Sequence, residues 1–139
     1  MVSISQLTSI QTKVTEMRRI AYECINAHID TSAIYCTPNQ PQTDETLPPN
    51  YAIIASVENN LTKYTLDPAK WVQNAALIIE VQVDKLSVAK GELISRSLRL
   101  LYTNSFASND TVVTNTTVTN VANAKGTRFN MIVEYNFII

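Results

Sequence analysis

Glycine is almost missing from this chain: Gly91 and Gly126 are the only two in 139 residues, where average usage would supply roughly ten. Glycine-rich loops that wrap backbone amides around a phosphate are thereby excluded. Charge is thin as well, with 11 basic and 12 acidic residues and a net charge of −1. That balance removes the electrostatic basis for sequence-independent nucleic-acid binding. No apolar run approaches the roughly 20 residues that a membrane helix needs. The start, "MVSISQLTSIQTK", lacks the basic residues and apolar block of a secretion signal, so a soluble protein made in a cytoplasm is expected. Cys24 and Cys36 can pair in principle, but in a reducing compartment two buried free thiols are the expected state.

What is present is uncharged and hydrogen-bonding: Thr (16) and Asn (13) together outnumber the 23 charged residues. Such a surface suits protein contacts. The length predicts a single domain over residues 1–139. Ile4, Leu7, Ile10, Val14, Met17, Ala21, Cys24, Ile25 and His28 recur at three- and four-residue spacing, which predicts a helix over about 4–28. Ser3 is its expected cap, with Gln6 in the capping-box position. The stripe fits a core-facing helix, and a coiled-coil seam is the rarer alternative. A short strand is expected at Ser32–Thr37, then a proline-rich loop over Pro38–Pro49, either a functional segment or a surface connector.

Tyr51–Glu58 and Gln73–Val83 alternate as strands, joined by "NNLTKYTLDPAKW", whose Tyr64 and Trp71 have little else to pack against. Val88–Asn104 returns to helical spacing, with Leu93, Ile94, Leu98 and Leu101 expected inward and Gly91 expected to weaken the helix relative to alanine. "TVVTNTTVTNV" reads as a β-branched strand before the turn "ANAKGT". The chain closes on "RFNMIVEYNFII", a proline-free apolar strand that invites aggregation unless it is central in a sheet or docked on a neighbour. The predicted order is α-β-β-β-α-β-β, an α+β fold in which two helices pack as a second layer on a mainly antiparallel sheet.

Candidate chemistry is sparse. Cys24 and His28 are spaced for one helix face, as a nucleophile and base would be, but no orienting group or ligand-spaced motif accompanies them, so neither a catalytic nor a metal site is assigned. Glu58, Glu80 and Glu134 are expected on the sheet face away from the core, as solvated or interface-facing charges rather than a catalytic pair. The three Asn-X-Thr sequons carry no meaning without a secretion signal.

The order of elements, with "LPPNYAIIASVE" entered from a proline, "WVQNAALIIEVQV", the Val88–Asn104 helix and the closing "RFNMIVEYNFII", resembles the tail terminator proteins of long-tailed bacteriophages over nearly the whole chain. Pro38 and Pro41 stand outside that pattern. The resemblance implies a virion protein of the tail neck, made in the host cytoplasm, that forms a hexameric ring on the major tail tube protein and meets a head–tail connector protein. It implies no catalytic residue, no cofactor and no membrane; DNA passes through the ring without specific binding. Tyr64, Trp71, Pro48, Pro49, Tyr135 and Phe137 are then expected at interfaces, and Glu58, Glu80 and Glu134 toward the lumen. The alternatives are a head-completion or connector protein on the head side, and a small cytoplasmic ligand-binding or enzymatic domain.

Overall fold

Helix α1 spans Ile4–Asn26 in the structure, a computed structural model that describes residues 2–36, 47–104 and 111–139. Its start is fixed by the expected capping box: the Ser3 hydroxyl accepts from the Gln6 N–H at 3.2 Å, and the Gln6 side chain accepts from the Ser3 N–H at 2.9 Å. Ile10, Val14, Met17, Ala21 and Ile25 form its buried stripe. Ile4 and Leu7 belong to the same stripe by spacing yet remain 84% and 51% exposed, so the periodicity begins before the core does. The helix stops at Asn26, which leaves His28 beyond it rather than on a shared face with Cys24.

A single 3-10 turn, Thr31–Ala33, takes up residues expected to open the first strand and leads into β1, Ile34–Cys36. The expected Pro38–Pro49 loop lies outside the described residues up to position 46. Then follow β2 (Tyr51–Lys63), β3 (Trp71–Asp84), α2 (Val88–Asn104), β4 (Thr111–Asn123) and β5 (Gly126–Ile138). The β2–β3 hairpin is longer than its alternation suggests, because a bulge between Glu58 and Leu61 sets Asn59 and Asn60 against the single residue Asn74, and the one extra residue breaks the period. Buried Gln73 donates to the Asn60 carbonyl at 3.3 Å, giving the interrupted ladder a partner.

The five strands form one mixed sheet in the order β1-β2-β3-β5-β4, with β1 parallel to β2 and every other pair antiparallel. The apolar closing strand is therefore central, hydrogen-bonded to β3 on one side and β4 on the other. One core joins the stripes of both helices to Ala52 and Ile54 of β2, to Ala75, Leu77, Ile79, Val81 and Val83 of β3, and to the odd-numbered residues Phe129–Phe137 of β5. Each large aliphatic side chain so covered contributes about 1.5–3 kcal/mol by leaving water. The Tyr102 hydroxyl donates to the Met17 carbonyl at 2.6 Å, tying α2 to α1.

Gly91 has a different role from the one its helix propensity suggests. It is buried where α2 crosses the sheet, and an added Cβ would run into the ring of Phe129 and reach 3.0 Å from Val83 Cγ2. The missing side chain lets helix and sheet approach. Leu93, expected inward, is 48% exposed, while Tyr102 at the end of α2 is fully buried. Among the described residues no helix is long and apolar enough to cross a membrane.

Candidate assembly surfaces

The strands run from one end of the molecule to the other, so residues are sorted by end as well as by face. At one end lie the start of α1, the β2–β3 turn and the C-terminus. Gln6 Nε2 donates to the Ala69 carbonyl at 3.3 Å, and Trp71 and Ile139 exchange backbone hydrogen bonds at 3.1 and 2.9 Å. This junction holds Tyr64 and Trp71, both half-buried, with exposed Leu66 (81%), Ile4 and Leu7. Lys63 Nζ sits 5.9 Å from the centre of the Trp71 ring, at cation–π distance. The result is an apolar end with two amphipathic rings.

Pro48 and Pro49 are at the other end, where they line a depression of about 340 Å³ with His28, Asp30, Asn50 and Asp84. There Asn50 Oδ1 accepts from the Asp84 N–H at 2.8 Å and fixes the entry to β2. The expected interface residues are thus divided between opposite ends. Tyr135 and Phe137 are on neither: both are 1% exposed, their rings stack at 5.9 Å inside the core, and no partner can reach them without unfolding. Their expected interface role is corrected by strand register, since β5 turns its odd-numbered face toward the helices.

The face opposite the helices is open. Ile78 and Ile132 are register partners at its centre and each is 41% exposed. Around them are Asn74, Asn130, Glu134, Asn136, Thr117 and Thr119. Toward the Pro48 end the face carries a polar network. Tyr51 donates to Glu80 Oε2 at 3.3 Å, Arg128 Nη2 donates to the Tyr51 hydroxyl at 3.4 Å, and Arg128 Nε lies 3.7 Å from the same carboxylate. Burial, then the Glu80 charge, pushes the Tyr51 phenol above its ordinary pKa. Gln82, 1% exposed, exchanges amide hydrogen bonds with Asn123 at 2.8 and 3.3 Å.

The three glutamates do not share this face. Glu58 pairs with Ala75 of the core-facing row and lies with Arg18 beside α1, because the alternation of β2 reaches it on the helix side. Glu80 is open-faced but tied to Arg128, and Glu134 is exposed on the open face. Cys24 and Cys36 are free, and burial raises the Cys24 thiol pKa, which disfavours the reactive thiolate. Sequence reasoning missed Ile4, Leu7, Leu66, Val112 and Val121 as surface residues. An apolar residue in a periodic stripe gives no sign of where the opposing surface stops.

The chain matches no family model and no curated protein.

Proposed function

We propose that this chain is a ring-forming structural protein of a tailed-phage neck, a tail terminator that caps the tube and presents its other side to the head connector. The observation that carries the reading is the division of the surface into two unlike ends and one uncovered sheet face. In this reading the element order α-β-β-β-α-β-β forms two layers, with the helices outward and the open face toward the lumen. The apolar end bearing Tyr64, Trp71, Leu66 and Ile4 docks on the tube, where aromatic anchors supply most of the binding energy. Pro48 and Pro49 face the head side. Glu134 is the carboxylate placed to repel passing phosphates, and Glu134→Lys that leaves DNA ejection unchanged removes that step.

The deciding experiment is deletion of the gene from its source genome followed by electron microscopy of the particles. Tubes of excessive, variable length detached from heads are expected. Tubes of ordinary length beside leaking heads move the protein to the connector side, and normal infectious particles overturn the reading. Trp71→Ala and Tyr64→Ala are expected to reduce assembly while leaving the melting temperature within a few degrees; a large drop in melting would make these rings part of the fold instead.

A further inference from the structure

Among the described residues the two edges of the sheet are poorly protected. β4 is outermost and runs 13 residues, Thr111–Asn123, with neither a proline nor a charged side chain. Soluble proteins commonly blunt such an edge with lysine, proline or a covering segment. Here a single bulge, between Val113 and Asn115, interrupts a strand of threonine, asparagine and valine. On the opposite side of the sheet β1 pairs with β2 at Ala52, Ile53 and Ile54 alone. Among the described residues no strand pairs with the outer edge of β2 from Ala55 to Lys63.

The directions of these edges fit each other. β2 with β3, β3 with β5, and β5 with β4 are all antiparallel, and three reversals leave β2 and β4 pointing in opposite senses. A second copy set beside the first in the same orientation therefore brings its β2 antiparallel to β4, the more stable way to pair strands. Side-chain character agrees as well. Val57 on β2, 39% exposed, and Val112 and Val121 on β4, 61% and 57% exposed, project from the same open face. Joining the edges at one level continues that face and brings Val57 toward Val112, with Asn115 level with Val57 and Val121 level with Tyr51.

We propose that β4 of one copy adds to the stretch Ala55–Lys63 of β2 in a second copy, the stretch that no described strand pairs, so that the sheet runs on from subunit to subunit. The occupant is this same chain because the sheet carries both halves of the joint in matching sense. The contact is heterologous, and a rotation that closes makes it a ring. The inference deepens the neck-ring reading and rests on it for closure; the joint itself follows from the edges.

The test uses the purified full-length chain, followed by sedimentation velocity and by amide hydrogen exchange. One variant carries Thr117→Lys and Thr119→Lys on β4; the other carries Val57→Lys and Thr62→Lys on β2, all four at exposed positions. The wild type is expected to associate with slowed exchange at alternate β4 amides, and each variant to associate roughly tenfold or more weakly. An equal mixture of the two variants is expected to give dimers and nothing larger, since one intact β4 meets one intact β2. A wild type that stays monomeric, or that associates while its β4 amides remain fast, overturns the joint. So does a β2 variant that still assembles fully, which would mean β4 pairs with β4. Should a variant melt early, the wild-type exchange pattern decides by itself. Protected edges with normal tails after gene deletion keep the joint and remove the terminator reading, whereas overlong tails with unprotected edges do the reverse.

Discussion

Leu77 and Ile78 are neighbours on β3 and nearly equal in size, yet the first is 0% and the second 41% exposed. They represent the two faces of one sheet. On the helix side every second residue from Ala75 to Val83 of β3 and from Phe129 to Phe137 of β5 is apolar and covered; on the other, Ile78 and Ile132 stand among asparagine, threonine and glutamate. The difference teaches that the hydrophobic pattern of these strands was set by two unlike demands. One face stabilises the fold, and the other keeps a surface that is neither a core nor fully polar.

The comparison is tested most strongly at that pair. Leu77→Ala is expected to lower unfolding free energy by about 2–5 kcal/mol in urea titration, because it leaves a cavity under the helices. Ile78→Thr should stay within about 0.5 kcal/mol. Equal losses would mean that the open face is covered within a single chain. Next in size is Gly91→Ala: crowding against Phe129 and Val83 should destabilise the protein by about 1–3 kcal/mol, the reverse of the gain that helix propensity predicts.

Two buried tyrosines sharpen the contrast on the covered side. Tyr102 donates to Met17 O, and Tyr102→Phe should cost about 1 kcal/mol. Among the described residues the buried Tyr135 hydroxyl has no hydrogen-bond partner, so Tyr135→Phe should be neutral or slightly stabilising. Paired thermal melts of the two variants check the order. A pH titration provides the smallest readout. Burial, then the nearby Glu58 charge, pushes Tyr135 up to about 12 from the ordinary 10.0, and burial drives Tyr102 higher still. A raised folded-state pKa means that the unfolded chain loses its phenolic protons first. Stability is therefore full below pH about 10 and falls as the pH rises toward 12 and beyond. The Tyr135→Phe variant should show a shallower alkaline decline.

Much of the fold was legible because local chemistry decided it. The capping box at Ser3 and Gln6, the alternation of Phe129–Phe137 and the Val88–Asn104 helix follow from spacing and side-chain type. The hairpin ends were not legible, since a bulge at Glu58–Leu61 shifts the period by an amount that only the paired strand reveals. Glu58 was placed on the wrong side for another reason: its alternation with Ala52 and Ile54 is regular, but alternation does not say which face of β2 is covered. Of the candidate site, Tyr64 and Trp71 were readable as aromatics without a core to join, whereas Tyr135 and Phe137 were misplaced because alternation gives two faces and not the identity of the covered one.

By itself the sequence determined the α+β content, the near-neutral surface and an apolar closing strand, because propensity and periodicity act over a few residues. Only the tertiary structure decided that this strand lies between β3 and β5's other neighbour β4, that Gly91 is a contact point and that Ile4 and Leu7 lie outside the core. Those outcomes depend on where distant segments meet. Strand register and helix approach are set by packing across the whole chain, and no local pattern encodes them.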